Sequence, residues 1–391
     1  MKPKWEYKKI GDICLVERGG SPRPIGQYIT DSDDGINWIK IGDTTESMYI
    51  TKTAQKIKPE GMKKSRYVQS GDFLLSNSMS FGRPYILQID GCIHDGWLVL
   101  RDENDLFDKR FLYYYLSAKP TYERFKTMAV GGVVNNLNSE MVRNLFVPVP
   151  SKVEQSKIAD LLDISRNVIL KRKQQLQKLD ELVKARFIEL FGDPIVNSMN
   201  WPEALIGDNC FVTKLAGFEY TQYINYEDTG DVIMVKAQNV KNGKLNRKGL
   251  SFISNEVSNS LPRSQLAPGD VVMTYVGANI GDVAVIDNEH KYHLAPNVAK
   301  IRPDFSVYNS VFFMYMLMFL NSYIVKNSAD TAKAALGVER IRKLNVFIPP
   351  LAIQNEFAAF VEQTDKSKVA VQKALDETQL LFDSLMQKYF G

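Results

Sequence analysis

The feature that most constrains this chain is a repeat of about 195 residues. The phrase IGDIC at residues 10–14 returns as IGDNC at 206–210, and Trp5 is matched by Trp201 at the same offset of 196. Other pairs keep a similar offset, namely GDFLLSNSMSFGRPYIL (71–87) with GDVVMTYVGANIGDVAVI (269–286), Pro150 with Pro350, and Phe191-Gly192 with Phe390-Gly391. Self-similarity at one period along the whole length indicates two copies of one structural unit.

The first part of each copy has a mixed pattern. Short β-rich runs such as NWIKI (37–41), DFLLS (72–76) and GWLVL (96–100) are separated by Gly, Pro, Asp and Asn. A helical stretch follows at 109–128, and its counterpart lies at 307–327. This order predicts a compact α+β globule.

The second part of each copy is predicted to be one long helix. Ser151 and Glu154 have the spacing of a capping box, and neither Gly nor Pro interrupts the apolar seam that follows over 151–191. Residues 351–390 repeat this pattern, and about 39 residues give a rod of about 58 Å. Neither helix can bury its stripe alone, so we expect antiparallel pairing, with two globules held apart around a pseudo-two-fold axis.

The expected fold class is therefore α+β, with two tandem repeats, each a mixed globule followed by a long helix, the helices forming an antiparallel coiled coil. The predicted domains are a first globule at 1–150, a central helix at 151–192, a second globule at 193–350 and a C-terminal helix at 351–391.

Composition sets only broad bounds. The chain has 49 Lys and Arg against 45 Asp and Glu, a net charge of +4, which permits a nucleic-acid partner without requiring one. The longest apolar run, at 311–320, is too short to cross a bilayer, and the N-terminus lacks the apolar region of a secretory signal. Cys14, Cys92 and Cys210 are isolated, which argues against a disulfide framework and favours a cytoplasmic location.

No catalytic motif is found in the sequence. There is no Asn/Asp-Pro-Pro-aromatic methyltransferase motif, no G-x-G-x-x-G and no phosphate loop. We interpret His94-Asp95 as a turn before the strand at 96–100 rather than an acid–base pair, and His290 and His293 as polar side chains rather than metal ligands. The sequence therefore predicts no catalytic site, no metal and no cofactor bound by this chain.

Four features of the repeat together are typical of one family. They are LFVPVPSKVEQSKIADLLD (145–163), LNVFIPPLAIQNEFAAFVEQTD (344–365), the two Gly-Asp strands with their later Gly82 and Gly281, and the tandem arrangement. Through them the chain resembles, over essentially its whole length, the specificity subunit of a type I restriction–modification system. In one respect the copies differ, since Glu154-Gln155 of the first becomes Gln354-Asn355 in the second.

The resemblance implies that each globule is a target recognition domain that reads one half of a bipartite DNA sequence. The paired helices would set the gap between the halves and dock two methyltransferase subunits, which methylate adenine with S-adenosylmethionine. Restriction subunits that consume ATP with Mg²⁺ and cut double-stranded DNA would complete the complex. Because the globules diverge between their shared phrases, we expect an asymmetric target.

Candidate DNA-binding residues are those that lie where the copies diverge and that can reach bases or phosphates. The cluster at 56–66 is a further candidate for phosphate contacts. The candidates are Arg18, Arg23, Lys40, Asn77, Ser78, Arg83, Asn135 and Asn136 in the first copy and Lys214, Tyr220, Lys236, Gln238, Asn239, Tyr275, Asn279 and Lys333 in the second.

The sequence leaves other interpretations open. The chain could be a non-catalytic scaffold whose globules bind protein, or a specificity factor of a related defence system. An enzyme with an unrecognised buried site is a third alternative, which the missing motifs disfavour.

Overall fold

The chain divides into two compact units. The first consists of Met1–Gln174 with Gln372–Gly391, and the second of Gln175–Val371. The structure, a computed structural model, describes residues 5–77, 82–129, 136–328 and 336–391.

The first copy of the repeat begins with strands and ends with helices. Its strands are Tyr7–Lys9 (β1), Leu15–Arg18 (β2), Ile29–Thr30 (β3), Ile36–Ile39 (β4), Tyr49–Ile50 (β5), Lys56–Ile57 (β6), Arg66–Val68 (β7), Phe73–Ser76 (β8), Pro84–Leu87 (β9), Gly91–Ile93 (β10), Trp97–Arg101 (β11) and Phe146–Pro148 (β12). Its helices are Ile10–Ile13 (α1), Lys109–Ser117 (α2), Lys119–Ala129 (α3), Ser139–Arg143 (α4) and Lys152–Phe191 (α5).

The second copy has a similar order of elements. Its strands are Glu203–Leu205 (β13), Cys210–Lys214 (β14), Val232–Val235 (β15), Val240–Lys241 (β16), Lys244–Leu245 (β17), Phe252–Ile253 (β18), Gln265–Leu266 (β19), Val271–Thr274 (β20), Val283–Val285 (β21), Lys291–Leu294 (β22), Val298–Pro303 (β23) and Asn345–Phe347 (β24). Its helices are Ile206–Asn209 (α6), Gly217–Tyr223 (α7), Asn255–Ser260 (α8), Ser310–Phe319 (α9), Asn321–Ser328 (α10), Val338–Arg342 (α11) and Leu351–Phe390 (α12). Short 3-10 helices lie at Ile25–Gln27, Ile41–Asp43, Pro59–Lys64, Ala237–Asn239 and Pro262–Ser264.

Two five-stranded sheets pack face to face in the first unit. One has the order β2-β11-β8-β9-β5 and the other β3-β6-β4-β10-β7, in which β4 and β10 run parallel. Alternate residues of a strand point to opposite faces. In β11, Trp97 and Val99 therefore join the core between the sheets. Leu98 and Leu100 join the core under the helices instead.

The second unit has the same layers with four strands in each sheet. The orders are β14-β23-β20-β21 and β18-β15-β22-β19, and β15 and β22 run parallel. Val272 of β20 faces the core between the sheets, whereas Val271 and Met273 face the helices. The expected α+β class with two tandem repeats is confirmed.

The helical stretch predicted at 109–128 is two helices rather than one. α2 ends at Ser117, the backbone of Ala118 is extended, and α3 begins at Lys119 with Pro120 in its first turn. Proline lacks the N–H that a continuous helix would need and its ring clashes with the preceding turn. The proline therefore starts a second helix.

The two long helices predicted from the sequence are present. α5 and α12 each contain 40 residues, or about 60 Å. Half of the predicted capping box forms, because the Glu154 N–H donates to Ser151 Oγ at 3.3 Å. The Glu154 carboxylate instead accepts from the indole Nε1 of Trp5 at 3.0 Å, so it does not return to the cap.

A buried glutamine at the start of each long helix ties the helix to its globule. Gln155 Oε1 accepts from the Asp108 N–H at 2.8 Å, and its Nε2 donates to the carbonyls of Leu106 and Pro150 at 2.9 Å each. The side chain is fully buried. Every polar atom of the amide is therefore matched inside the protein.

Gln354 makes the same three bonds in the second unit. It accepts from Asn309 N–H at 2.9 Å and donates to the carbonyls of Val307 and Pro349 at 3.0 and 2.7 Å. Matching Glu154-Gln155 with Gln354-Asn355 was therefore wrong by one residue. Gln155 and Gln354 are the equivalent pair, at an offset of 199.

Within each unit, the beginning of one long helix packs with the end of the other. In the second unit, Arg186 of α5 binds Glu356 of α12 at 2.5 Å, and Asp180 binds Lys368 at 2.7 Å. The contact residue that lies later in α5 pairs with the one that lies earlier in α12. The two helices are therefore antiparallel in the second unit. In the first unit, Phe390 joins the core that contains the first turns of α5.

We expect Gln155→Ala to lower the free energy of unfolding of the first unit by about 3 kcal/mol, because two carbonyls and an N–H lose their enclosed partner. Urea denaturation measures the loss, and hydrogen exchange should place it at residues 106–108 and the start of α5. The control is Gln174→Ala, at an exposed position on the same helix, which should change stability by less than about 0.5 kcal/mol. Equal effects of the two substitutions would contradict the role given to Gln155.

Candidate nucleic-acid interface

Each unit has a sheet edge that is built in the same way, at the point where its parallel strand pair ends. In the first unit, β4 is followed by Lys40, and the His94 N–H after β10 donates to the Ile39 carbonyl at 3.1 Å. In the second, β15 is followed by Lys236, and the Ala295 N–H donates to the Val235 carbonyl at 3.2 Å. We call this the lysine edge, comprising Lys40 with His94-Asp95 in one unit and Lys236 with Ala295-Pro296 in the other.

The backbone of each lysine is held in the same way. The Lys40 N–H donates to Asp43 Oδ2 at 2.7 Å, and the Lys236 N–H donates to Asn239 Oδ1 at 3.1 Å. Each acceptor lies three residues on, at the end of a 3-10 helix. The lysine therefore leaves the strand at a fixed angle in both units.

The lysine side chains are also held alike. Lys40 Nζ donates to Gln55 Oε1 at 2.7 Å, and Lys236 Nζ donates to Ser251 Oγ at 2.9 Å. Both acceptors are uncharged, so each ammonium group keeps its full positive charge for an external anion or base.

In the first unit, the lysine edge lies in a cleft of about 820 Å³, the first cleft. Its buried wall includes Trp38, which is 1% exposed. The first cleft is lined by Ser21, Pro22, Arg23, Pro24, Ile25, Ile29, Trp38, Lys40, Gln55, His94 and Asp95. Two predicted DNA-binding residues, Arg23 and Lys40, are thus brought together.

The Asp95 carboxylate lies among cationic and polar groups in the first cleft. It accepts from Ser21 Oγ at 2.8 Å and from Arg23 Nη2 at 3.4 Å, and His94 Nε2 lies 3.0 Å from it. Partial burial acts to raise the pKa of Asp95, but the Ser21 hydroxyl, His94 and Arg23 outweigh it and hold the pKa below its usual range. The carboxylate is therefore ionised at neutral pH.

The backbone carbonyl of Asp95 accepts hydrogen bonds from two more of the predicted DNA-binding residues. Arg18 Nε donates to it at 3.1 Å and Asn77 Nδ2 at 2.9 Å. Asn77 is only 2% exposed, so its amide stabilises the turn at Asp95 and does not face the solvent. Arg18 is exposed and presents its guanidinium beside the first cleft.

Other predicted residues of the first copy lie elsewhere. Arg83 lines a different cleft of about 370 Å³ with Tyr113 and Tyr122. Asn136 is half-buried and precedes Leu137, whose N–H donates to the Asn77 carbonyl at 2.9 Å. Ser78 and Asn135 lie outside the described residues.

In the second unit, tyrosines accompany the lysines. Lys214 lies over the ring of Tyr275 at 5.3 Å, and Lys236 lies 5.8 Å from the ring centre of Tyr226. Tyr220 packs against Tyr226 at 6.0 Å between ring centres. Burial and the neighbouring Tyr220 raise the pKa of Tyr226 to about 12, so its hydroxyl remains a hydrogen-bond donor.

Two predicted residues of the second copy shape a loop. Asn239 is 2% exposed and donates to the carbonyls of Asn246 and Lys248 at 2.9 and 3.2 Å. Gln238 is exposed and donates to the Gly249 carbonyl at 3.0 Å. Both side chains hold the loop that follows the lysine edge.

The remaining predictions in the second copy concern two residues. Asn279 is exposed in the turn between β20 and β21. Lys333 lies outside the described residues.

Sequence interpretation missed several groups at the lysine edge. It assigned no binding role to Ser21, Gln55, Asp95, Tyr226 or Ser251. One signal was available, because Gln55 and Ser251 have the same offset of 196 as Lys40 and Lys236.

The family model for the type I restriction modification DNA specificity domain matches residues 2–181 and again residues 204–378. The chain belongs to this family. The expected identity as a type I specificity subunit, a recognition protein without catalysis of its own, is thereby confirmed.

Known specificity subunits match almost the whole chain. The type I restriction enzyme EcoBI specificity subunit of Escherichia coli is 22% identical over 387 residues, which cover 91% of this chain and 80% of that protein. The MjaVIII specificity subunit of Methanocaldococcus jannaschii is 22% identical over 398 residues, covering 95% and 90%. The crystal structure of a type I S subunit from M. genitalium has the same fold, with a TM-score of 0.60 at 15% identity over 100% of this chain and 99% of that one.

Two kinds of feature are absent from the described parts of the specificity subunit. Across the described parts of the chain, no cluster of three or more His, Cys, Asp or Glu side chains could hold a metal ion. Within the same parts, none of the helices combines the length and apolar character needed to span a membrane.

Lys40→Gln and Lys236→Gln are each expected to weaken DNA binding severalfold and to reduce the slope of log affinity against log salt by about 1, because each removes one uncompensated cation. Fluorescence anisotropy of the complex with its methyltransferase subunits over a salt series measures both. The matched control is Lys152→Gln, whose ammonium is paired with Asp105 at 2.8 Å, and it should leave the slope unchanged. An unchanged slope in the Lys40 and Lys236 variants would remove the lysine edge from the interface.

Proposed function

We propose that the specificity subunit reads an asymmetric bipartite DNA sequence, with one half-site contacted by each unit. The target recognition domains are assigned to residues 1–150 and 193–350, and the spacer helices to 151–192 and 351–391. Each reader uses its lysine edge and the side chains around it.

The observation that carries this proposal is that the two lysine edges have the same backbone structure but different neighbouring side chains. Both lysine edges have the same strand pairing, the same backbone bonds and a lysine at the same place. Beside the lysine, the first unit presents His94-Asp95, whereas the second has a buried Ala295 followed by Pro296, with tyrosines nearby. Since different donors and acceptors select different base pairs, two unlike half-sites are expected.

The basic segment 56–66 supports phosphate contacts. Lys56, Lys58 and Lys63 have no carboxylate partner within 4.0 Å among the described residues, and Lys58 and Lys63 are exposed. Lys64 donates to the Tyr28 hydroxyl at 2.8 Å instead. Unpaired lysines of this kind position a protein on duplex DNA without selecting its sequence.

The length of the long helices supports their role as a spacer. Each is about 60 Å long, and one turn of duplex is about 34 Å. The paired helices would therefore set a gap of defined length between half-sites.

The proposed partners are two methyltransferase subunits on the long helices, together with restriction subunits. The methyltransferase subunits would bring S-adenosylmethionine, and the restriction subunits ATP and Mg²⁺, in the cytoplasm. Ile164 of α5 is 63% exposed, and Leu380 of α12 is 71% exposed. Each has an exposed apolar neighbour, Leu161 one turn before Ile164 and Leu381 next to Leu380, and contiguous exposed apolar patches are typical of protein-binding surfaces.

Selection from random duplexes by the complex of the specificity subunit and methyltransferase tests the function. We expect enrichment of two unlike sequence blocks separated by a fixed gap. Replacing residues 1–150 with those of another specificity subunit should change one block and leave the other intact. Absence of any enriched sequence would favour a protein-binding scaffold, and a change in both blocks would exclude independent readers.

Docking is tested with Ile164→Glu and Leu380→Glu, which place a charge on the exposed apolar positions. Each should weaken assembly with the methyltransferase at least tenfold in analytical ultracentrifugation, with little loss of stability because neither side chain is buried. Gln174→Glu adds the same charge at an exposed polar position of α5 and should assemble normally. Normal assembly of all three variants would show that the docking surface does not include Ile164 or Leu380.

A further inference from the structure

The carboxylate of Asp95 is a feature of the first cleft that phosphate binding does not explain. Among the described residues that line this cleft, Asp95 is the only acid. A carboxylate repels phosphates, so its presence beside Arg23 and Lys40 needs another reason.

Asp95 retains the capacity to accept a hydrogen bond from outside the protein. Its Oδ1 accepts a hydrogen bond from Ser21 Oγ and lies 3.0 Å from His94 Nε2, while Oδ2 accepts only a long hydrogen bond of 3.4 Å from Arg23. The Arg23 side chain is 81% exposed and that of Asp95 is 32% exposed. Arg23 can therefore move to a phosphate and leave Oδ2 open to a donor.

The orientation of the carboxylate is fixed by its surroundings. The Gly96 N–H donates to His94 Nδ1 at 2.9 Å. His94 Nδ1 is therefore an acceptor, which leaves Nε2, 3.0 Å from Asp95 Oδ1, to carry the proton of the neutral ring. Arg18 and Asn77 fix the backbone of Asp95 through its carbonyl, and Oδ2 contacts Arg23, which lines the first cleft with it.

The second unit has no carboxylate at this turn. Ala295 and Pro296 take the places of His94 and Asp95, and the exposed amide of Asn297 follows them. A carboxylate at the lysine edge is thus peculiar to the first unit.

We propose that Asp95 determines specificity in the first half-site by accepting a hydrogen bond from an exocyclic amino group in the major groove. Such donors are cytosine N4 and adenine N6. The nearby Arg18, Arg23 and Lys40 offset the repulsion between the carboxylate and the phosphates. This inference rests on the proposed function, since it names one contact within the first reader.

The first experiment repeats the random-duplex selection with Asp95→Asn in the complex. We expect preference to be lost at one position of the first block, with the second block unchanged as an internal measure of folding. Glu103→Gln removes the same charge from an exposed position beyond the other end of β11 and should select the wild-type sequence.

These outcomes separate the two proposals. If the wild-type complex enriches no sequence, the proposed function fails and the inference fails with it. If the wild type enriches two blocks and Asp95→Asn enriches the same two, the inference alone is wrong. Loss of both blocks in Asp95→Asn would show a structural role and also overturn it.

A second experiment identifies the contacted group. The base at the affected position is replaced by an analogue without the amino group, pyrimidin-2-one for cytosine or purine for adenine. The wild-type complex should lose about tenfold in affinity, whereas Asp95→Asn should lose little between the normal and the modified duplex. Equal losses in both would contradict a direct contact.

Arg23→Ala tests whether Asp95 acts only by placing Arg23. If Asp95 contacts the base itself, Arg23→Ala should weaken binding without removing preference at the Asp95-dependent position. Loss of that same preference in Arg23→Ala would overturn the direct contact.

Discussion

The buried amides of Gln155 and Gln354 connect the two parts of each repeat. Each side chain uses both N–H donors and its carbonyl on the backbone that flanks the start of a long helix. A hydrophobic contact tolerates sliding, whereas three directed bonds in a dry site do not. The direction in which each helix leaves its own globule is therefore specified by one residue type at one position.

At the lysine edge, the backbone structure is common to both units, whereas the neighbouring side chains differ. Backbone hydrogen bonds and buried apolar side chains define where Lys40 and Lys236 stand, and these are common to both units. What lies beside them differs, with a histidine and a carboxylate in one unit and a buried alanine followed by a proline in the other. Side chains that the fold does not need are free to be chosen for the groups they contact.

Much of the architecture could be predicted from the sequence. Helical periodicity can be read from neighbouring residues, and the repeat can be read from matching residues at a constant offset. The two long helices and the α+β class followed from such patterns. The failures arose where long-range contacts decide. The role of Asp95 depends on Ser21, 74 residues away, and a dipeptide that forms a turn gives no sign of that partner.

The residue-level predictions show a similar limit. Arg18, Arg23 and Lys40 were selected by charge, and the structure brings all three to Asp95 or the first cleft. Asn239 was selected by the same reasoning, but its amide is used by the loop carbonyls of its own unit. Residue type suggests which groups can bind a base, whereas burial decides which of them face outward.

The way the chain is divided has a consequence for its synthesis. The second unit is continuous, but the first includes Gln372–Gly391, with Phe390 packed against Phe111 at 5.4 Å between ring centres. Chains are made from the N-terminus, and domains generally fold as they emerge. The unit that is translated first is thus the last to complete its core, and until then it exposes an aromatic surface on the ribosome that chaperones can recognise.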